Sequence, residues 1–272
     1  MNDREYAYLK KKIMELLKID IDSYKGQQMR RRLESFVSRQ KTDNPYRFSK
    51  MLEHDEGALK ALKNMLTINV SEFFRDEPQF DHLRSTVLPE LLEKRSHLNI
   101  WTAGCSNGQE PYSVAMILDD LAPRGSHRIL ATDIDVEVLK RAESGGPYHP
   151  KEVINLTKLQ LQKHFTKTEE GYIIVDELRR RVQFREHNLL SDPYQEGYDL
   201  VLCRNVMIYF ADEAKAKIFE RFSQSLKPGG ILFLGGTEAL LAAENTGFER
   251  LAMTFYRKKD AVLGQLVHKK AA

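Results

Sequence analysis

The stretch from residue 98 to residue 121 most constrains the fold, because it joins a short apolar run to a helical pattern through a glycine-bearing turn. Leu98 to Ala103 has the composition of a buried strand, and Tyr112 to Leu121 has helical spacing. Gly104 and Gly108 lie between them, and glycine lets a ligand approach the backbone because it has no Cβ. Open α/β sheets bind ligands at such turns. The glycine spacing matches neither the dinucleotide nor the phosphate-loop pattern, so an ordinary tight turn is the alternative for this stretch alone.

Strand and helix patterns continue to alternate towards the C-terminus. Further strands are predicted at 128–132, 182–186, 198–203, 231–234 and 254–257, and helices at 80–94, 136–143 and 212–226, the last closed by a turn at 227–230. This alternation predicts an α/β fold over residues 71–272, a doubly wound, Rossmann-like domain with a mostly parallel sheet. The tail after Lys258 is predicted to be frayed.

One segment interrupts the alternation. A helix is predicted at 158–165, followed by a turn at 166–171 and a strand that ends near Val175. We interpret residues 147–181 as an insertion that forms a small antiparallel β-subdomain.

Residues 1–70 show helical periodicity and no strand-like alternation, so they predict a separate N-terminal helical domain. A second helix, predicted to start near Asp22, has Arg31, Arg32 and Arg39 on the face opposite its apolar stripe. These 70 residues hold 15 lysines and arginines against 10 aspartates and glutamates, although the whole chain carries a net charge of only +3. Charged helix faces are usually just solvated, but this local excess favours an anionic partner.

Composition excludes several classes of protein. Hydrophobic residues make up 42% of the 272 residues, enough for a sizeable core. No apolar run approaches the length of a transmembrane helix, and the N-terminus lacks the apolar segment of a signal peptide. The two cysteines, Cys105 and Cys203, exclude a disulfide framework, and we expect reduced, buried thiols in a cytoplasmic protein.

Acidic residues at the predicted site favour a ligand without phosphates. Asp133 ends the second strand, where nucleotide-binding sheets place a carboxylate on ribose hydroxyl groups. Glu110 stands in the first turn where a phosphate site would carry a cation, and it is suited to an ammonium group. Together these residues favour S-adenosylmethionine as the cofactor over NAD or ATP, and no metal site is predicted.

Two later strand ends complete the predicted site. Asn188 follows the third strand, where its amide has a donor and an acceptor for an adenine edge. After the fourth strand, the loop from Arg204 to Phe210 would face the reactive end of the cofactor. It lacks the Asn/Asp-Pro-Pro-Tyr sequence of amino-methylating DNA enzymes, and neither cysteine is placed to attack a pyrimidine.

Five stretches together resemble the CheR-type chemoreceptor glutamate O-methyltransferases. They are Thr67–Arg75, Trp101–Ser113, Ala131–Asp135, His187–Leu190 and Cys203–Phe210, and they span nearly the whole chain in the family's order. The resemblance implies an S-adenosylmethionine methyltransferase sheet, with S-adenosylhomocysteine as product and glutamyl methyl esters on the cytoplasmic methylation helices of chemoreceptors. It also implies a cofactor site, for which the matching positions are Asn69, Ser71, Arg75, Gly104, Glu110, Asp133, Asn188, Leu189, Arg204 and Asn205.

The resemblance further implies that Arg75 and Tyr209 lie nearest the methyl group as catalytic residues. It implies that Arg32 meets the acidic receptor helices, and Arg31 and Arg39 extend this substrate-binding set by the helical wheel alone. Relatives that grip a receptor pentapeptide tether have a longer, glycine-rich hairpin loop than residues 166–171, so we expect a tether-independent enzyme.

We expect a monomer with no nucleic acid partner and no insertion into the membrane. One alternative is an RNA methyltransferase that uses the arginine helix on phosphates, although a stronger basic excess and exposed aromatic platforms would then be expected. A second is a cofactor-binding interaction protein without catalysis, which the presence of Arg75, Asp133 and Tyr209 disfavours.

Overall fold

The N-terminal part of the chain is helical, as predicted. A computed structural model describes residues 1–40, 42, 44–67, 69–240 and 247–259. Four helices come first, α1 (Asp3–Leu17), α2 (Gly26–Ser38), α3 (Pro45–Leu52) and α4 (Glu56–Thr67). They bury Leu9, Ile13, Leu33 and Phe48 between them, which places the apolar stripes of the sequence in a core.

The second helix starts later than the sequence pattern predicts. Ile21–Ser23 forms a single 3₁₀ turn, and α2 begins only at Gly26. The carboxylate of Asp20 accepts hydrogen bonds from the backbone N–H of Asp22 (3.1 Å) and from the hydroxyl of Ser23 (2.6 Å). These local bonds compete with helix formation at the predicted start.

The remaining chain forms the predicted α/β architecture. Its strands are β1 (Asn99–Ala103), β2 (Arg128–Asp133), β3 (Phe165–Lys167), β4 (Tyr172–Ile174), β5 (Val182–Glu186), β6 (Tyr198–Cys203), β7 (Leu226–Leu234), β8 (Phe248–Arg250) and β9 (Phe255–Lys258). Within the described residues, seven of them form one sheet in the order β5-β2-β1-β6-β7-β9-β8. The first five are parallel, and β9 runs antiparallel to both of its neighbours.

Helices accompany the strands in alternation. They are α5 (Glu77–His82), α6 (Leu88–Lys94), α7 (Gln109–Leu121), α8 (Val136–Ser144), α9 (Lys158–His164), α10 (Asp176–Arg179) and α11 (Asp212–Ser225). A π-helical turn, Leu83–Val87, joins α5 to α6 in the segment predicted as one helix. Alternate residues of β1 enter different cores: Ile100 packs with α7, whereas Trp101 and Ala103 share a core with α11 and the N-terminal helices. The sheet is therefore covered on both faces.

The insertion contains the expected antiparallel element. Strands β3 and β4 pair in a two-stranded sheet, and residues 168–171 connect them. The preceding helix ends at His164, one residue earlier than predicted, because Phe165 is already paired with Ile174.

The predicted closing turn at residues 227–230 is wrong. These residues belong to β7, which begins at Leu226 opposite Tyr198 and shifts register before Ile231 pairs with Leu200. Gly229 sits at a positive φ of 69° inside this irregular segment, so the Pro-Gly-Gly sequence produces an irregular strand rather than a turn. The tail predicted to be frayed lies outside the described residues from residue 260 onward.

The order of the strands locates the site. Strand order reverses between β1 and β6, whose crossover connections leave in opposite directions along the sheet. Ligands of open α/β sheets bind beyond the carboxyl ends of the strands at such a switch point. The turn at Gly104 and the loop after Cys203 both begin there. Among the described residues, no helix is both long and apolar enough to cross a membrane.

Candidate active site

A cleft opens at the carboxyl ends of β1, β2, β5 and β6. Every residue predicted from the sequence to bind cofactor or to act in catalysis lines it: Asn69, Ser71, Arg75, Gly104, Glu110, Asp133, Asn188, Leu189, Arg204, Asn205 and Tyr209. The structure brings them together from five separate stretches of the chain. The sequence did not indicate that Ile19, Tyr24 and Leu66 of the helical part complete the wall.

The first turn requires glycine at position 104. Gly104 has a φ of 81°, and a Cβ there would lie 2.4 Å from Cγ2 of Val206 in the loop after β6. The backbone N–H groups of Gly104 and Cys105 both donate to the carbonyl oxygen of Thr132, at 2.8 and 2.9 Å. The turn is therefore held between β2 and the loop that contains Val206. Gly104 also lines the cleft, where its lack of a Cβ lets a ligand approach the backbone.

Asp133 is held by the two loops that flank it. Its carboxylate accepts hydrogen bonds from the backbone N–H of Ser106 (2.8 Å) and of Asp135 (3.0 Å). Burial raises the pKa of Asp133, and these backbone bonds oppose the rise. They use only part of the acceptor capacity of the carboxylate, so it can still accept hydroxyl groups of a ribose.

Glu110 and Arg204 form a buried ion pair, with 3.4 Å between Glu110 Oε2 and Arg204 Nη1. Burial raises the pKa of Glu110 to about 7, although the positive charge of Arg204 lowers it. The guanidinium of Arg204 also lies over the rings of Phe80 and Phe233, with its Cζ 5.1 and 4.7 Å from their centroids. Its position is thus determined on several sides.

Arg204 also holds residues 69–76, the linker between the helical part and the α/β part. Its Nη2 donates to the carbonyl oxygen of Arg75 and to Oδ2 of Asp76, both at 2.8 Å. Sequence reasoning assigned Arg204 to the cofactor alone. In the structure it also fixes the backbone at Arg75, whose own side chain lines the cleft.

The linker between the two parts is anchored by its phenylalanines. Phe73 is fully buried, and its ring packs edge-on against Tyr148 (5.0 Å) and Phe165 (5.4 Å) of the insertion. Phe74 packs in the same way against Phe80 at 5.5 Å. The two rings hold the chain immediately before Arg75.

Asp135 supports the site from behind the cleft, and sequence reasoning missed this role. Its carboxylate is fully buried and accepts hydrogen bonds from Asn69 Nδ2 (2.9 Å) and from the backbone N–H of Glu137 (3.1 Å). It thereby ties the linker to the start of α8 and to the loop that carries Asp133. An aspartate directly before a helix is an N-cap signal, and that signal was present in the sequence.

The amide of Asn188 makes two contacts inside the protein. Its Nδ2 donates to the carbonyl oxygen of Lys18 at 3.0 Å, and its Oδ1 accepts from the backbone N–H of Leu190 at 2.9 Å. A side-chain amide has a second N–H and a second lone pair, so the role predicted for Asn188 at an adenine edge stays a prediction. Asn188 also joins the helical part to the wall that contains Leu189.

Tyr209, Arg75 and Tyr24 all line the cleft. Burial raises the pKa of Tyr209, while the charges of Arg32 and Arg75 lower it. Tyr24 packs against Phe210, the residue after Tyr209, with 5.1 Å between ring centroids. The helical part therefore supports the end of the loop that carries Tyr209.

The predicted arginine face of α2 is divided. Arg31 and Arg39 are exposed, and the Nε of Arg39 donates to the carbonyl oxygen of Ser35 at 3.0 Å. Arg32 instead turns towards α4 and donates to the carbonyl oxygen of Met65. Burial lowers the pKa of Arg32. The expectation of one shared outward face is wrong for Arg32, because its long side chain reaches the boundary between the two parts.

The cysteines match their expected structural role. Cys105 and Cys203 are both free and buried, and burial raises the pKa of each thiol well above its usual value. Neither is available as a thiolate nucleophile.

The side chains of the cleft fit S-adenosylmethionine. The buried hydroxyl of Ser106 has no hydrogen-bond partner inside the protein, and Asp133 and Glu110 offer acceptors for ribose hydroxyls and an ammonium group. Ile134 and Leu189 supply apolar walls. No lysine lies among the described residues of the lining, and of its arginines Arg204 is already paired with Asp76 and Glu110.

Comparisons with known proteins agree with this geometry. Residues 69–257 match the family described as "CheR methyltransferase, SAM binding domain", and residues 4–67 match "CheR methyltransferase, all-alpha domain". The chain is 38% identical over 257 residues to a chemotaxis protein methyltransferase of Listeria monocytogenes, covering 94% of this chain and 98% of that protein. It is 41% identical over 192 residues to the chemotaxis protein methyltransferase of Escherichia coli, covering 67% of this chain and 65% of that protein.

A solved structure of a TehB-like SAM-dependent methyltransferase from Corynebacterium glutamicum is also similar. The TM-score is 0.40 at 14% sequence identity, and the match covers 75% of this chain and 96% of that one.

Proposed function

The chain belongs to the CheR methyltransferase family, and on that premise we propose that it methylates glutamate side chains on the cytoplasmic helices of chemoreceptors. The products would be glutamyl methyl esters and S-adenosylhomocysteine. Its cofactor is S-adenosylmethionine, since residues 69–257 match the family's SAM-binding domain. The observation that carries the proposal is that Arg75 and Tyr209 both line the cofactor cleft.

The cofactor would be held by groups at three strand ends. We assign the ribose hydroxyls to Asp133 and the ammonium group to Glu110, while Gly104 allows close approach to the backbone. Leu189 would pack against the adenine, and Asn69, Ser71, Arg204 and Asn205 would close the remaining sides. When bound, S-adenosylmethionine supplies a methyl group that is already activated by its sulfonium.

The protein needs no general base for this reaction. A free glutamate has a pKa of about 4.3 and is already ionised at neutral pH. The work left to the side chains is to align the carboxylate with the methyl carbon and to keep water out. Arg75 is suited to hold the acceptor carboxylate by charge-assisted hydrogen bonds, and Tyr209 shapes the slot beside it.

The exposed arginines of α2 would contact the acidic methylation helix. Arg31 and Arg39 are open to solvent, so they can pair with carboxylates without first being released from the protein. Arg32 would act closer to the acceptor, because its charge already reaches Tyr209.

We further propose that the enzyme works without a receptor tether. The hairpin of the insertion has strands of only three residues, joined by residues 168–171, which leaves little edge for an added peptide strand. Isothermal calorimetry with a receptor C-terminal pentapeptide should show no binding. Tight binding would overturn this part of the proposal. A cytoplasmic location and a monomeric state follow as parts of the same proposal.

The direct test is transfer of labelled methyl from S-adenosylmethionine to receptor cytoplasmic fragments. We expect label that is released by mild alkali, because methyl esters hydrolyse there and methylated amines or bases do not. Label that resists alkali, or that enters added RNA instead of the fragments, would contradict the proposal and favour the RNA methyltransferase alternative.

A further inference from the structure

A buried carboxylate stands behind the loop that carries Tyr209. Glu238 follows β7 and is 5% exposed. It lies outside the five stretches that resemble the family, and the cofactor and acceptor roles assigned above do not use it.

Three backbone N–H groups donate to this one side chain. Asn205 and Gly235 donate to Oε2 at 2.6 and 2.8 Å, and Ile208 donates to Oε1 at 3.2 Å. Two of these donors belong to the loop after β6, and the third to the end of β7. Hydrogen bonds to an ionised carboxylate are roughly twice as strong as neutral ones, so Glu238 fastens the loop to the sheet.

The loop needs such a support because its backbone is strained. Asn205 has a φ of 59°, in the left-handed region that non-glycine residues rarely adopt. At Gly235 a Cβ would lie 2.6 Å from Oε2 of Glu238 and 2.9 Å from the backbone nitrogen of Asn205. The carboxylate, the glycine and the loop are therefore packed against each other without spare space.

The other side of the loop is held by the helical part. Lys25 N–H donates to the carbonyl oxygen of Tyr209 at 3.0 Å, and Ala211 N–H donates to that of Ser23 at 2.8 Å. Tyr209 thus lies between two supports, a backbone bridge in front and the Glu238 carboxylate behind. Without the Glu238 carboxylate, the backbone hydrogen bonds of Tyr209 and Ala211 would remain, but residues 205–208 could shift.

We propose that Glu238 is a positioning residue that holds the loop from Asn205 to Tyr209 in the geometry required for methyl transfer. The proposal rests on the proposed function, because it gives the loop the role of placing Tyr209 at the acceptor. Glu238 touches neither cofactor nor acceptor in this role and acts through the three N–H groups.

The test compares Glu238→Gln with a matched control, Asp199→Asn. Glutamine keeps the size of Glu238, but it replaces one acceptor oxygen by an NH2 group, which cannot accept a hydrogen bond from a backbone N–H. Asp199 is also a fully buried carboxylate, which accepts from Asn99 N–H at 2.7 Å and pairs with Lys227 at 2.9 Å. It lies at the start of β6, the opposite end from the loop. Both variants lose a buried charge, but only one affects Tyr209.

Hydrogen–deuterium exchange measures the protection of the loop amides and needs no methyl acceptor. In the unsubstituted protein we expect the amides of Asn205, Ile208 and Gly235 to exchange slowly. Glu238→Gln should accelerate them by about tenfold or more, and Asp199→Asn should not. Fast exchange at these amides in the unsubstituted protein would overturn the proposal without any variant having to fold.

Methyl transfer supplies the second readout. Glu238→Gln should lower kcat by about 10- to 100-fold, and it should weaken the affinity for S-adenosylhomocysteine by a smaller factor, because Asp133 and Glu110 stay in place and Asn205 moves with the loop. The kcat of Glu238→Asp, which keeps the carboxylate, should lie between that of Glu238→Gln and that of the unsubstituted enzyme. A kcat for Glu238→Gln equal to that of Asp199→Asn would refute the positioning role. Absence of base-labile transfer by the unsubstituted enzyme would instead refute the proposed function and leave the exchange result to decide on Glu238.

Discussion

At Glu110, burial and a neighbouring guanidinium act in opposite directions on one carboxyl group. Burial is the larger effect and raises the pKa to about 7, whereas Arg204 lowers it. A group with a folded pKa above its unfolded value binds its proton more tightly in the folded state. Its contribution to stability is therefore largest at low pH, and it is lost as the pH rises from about 4.5 to about 7.

Glu110→Gln should remove this loss, because glutamine does not ionise. We compare the free energies of unfolding of the two proteins at each pH. The difference, variant minus unsubstituted protein, should be larger at pH 8 than at pH 5 by about 1–3 kcal/mol. Urea denaturation of both proteins without cofactor at the two pH values measures it. A difference that is the same at both pH values would contradict the assignment.

In the proposed mechanism, Arg75 is the residue that holds the acceptor carboxylate. Arg75→Ala should then lower kcat by about 100- to 1000-fold, since a charge-assisted contact to the reacting carboxylate is lost. Calorimetry measures cofactor affinity separately, because Arg75 is also one of the predicted cofactor-binding residues. Arg180→Ala is the control, because that side chain is 78% exposed and has only a 3.7 Å contact to Asp176. Near-normal turnover of Arg75→Ala would rule out the role.

Sequence reasoning identified the residues of the cleft better than their contacts. Asp133 and Gly104 could be located because strand ends and glycine turns follow from the chain alone, whereas the role of Arg75 came from the resemblance to the family. The bonds of Asn188 could not, because its partner Lys18 lies 170 residues away. Glu238 was missed for the same reason, since its partners are backbone groups that only the folded loop presents.

Among the elements, the linker shows what aromatic packing does for the site. Phe73→Ala should lower the free energy of unfolding by about 3–5 kcal/mol, because it leaves a cavity between Tyr148 and Phe165. Phe73→Leu is the matched control and should cost less than about 1.5 kcal/mol. Denaturant titration measures both. Equal effects of the two substitutions would mean that filling the space between Tyr148 and Phe165 contributes little.

Helix α2 allows its exposed arginines to be tested apart from the half-buried one. Arg31→Glu with Arg39→Glu should raise the KM for receptor fragments, and added salt should reduce the difference from the unsubstituted enzyme because exposed charges are screened. Arg32→Glu should also lower the melting temperature, since it loses its bond to Met65 and places a carboxylate at a buried position. A KM of the double variant that does not depend on salt would argue against electrostatic docking.

The elements themselves were largely predictable. β1 and β6 are apolar runs buried on both faces, which is the pattern that sequence reasoning reads best. The shifted register in β7 and the π-helical turn at Leu83–Val87 were not. Both depend on how neighbouring elements pack, and local composition does not encode that.

For the whole molecule, the cofactor cleft is shared between the two parts of the chain. Ile19, Tyr24 and Leu66 come from the helical part, and the rest of the lining comes from the linker and the α/β part. Lys60 and Glu137 add an ion pair across the same boundary, with 2.7 Å between Nζ and Oε2. A ligand in the cleft must therefore stabilise both parts at once.

S-adenosylhomocysteine at 100 times its Kd should raise the free energy of unfolding by about 2.7 kcal/mol. Scanning calorimetry should show one transition that moves as a whole, because the ligand contacts both parts. Two transitions, with the one from the helical part unmoved by the ligand, would show that this part does not contribute to binding.

The bridge between Ser23–Lys25 and Tyr209–Ala211 consists of backbone groups alone. Because peptide N–H and C=O groups are the same in every sequence, these two hydrogen bonds do not depend on the identity of the side chains, although the rings of Tyr24 and Phe210 also pack across the junction. If the proposed function holds, the surface of the outward helices can therefore be exchanged while residues 19–25 and Leu66 stay in place. Such a chimera should keep its cofactor cleft and change the surface that it offers to a receptor.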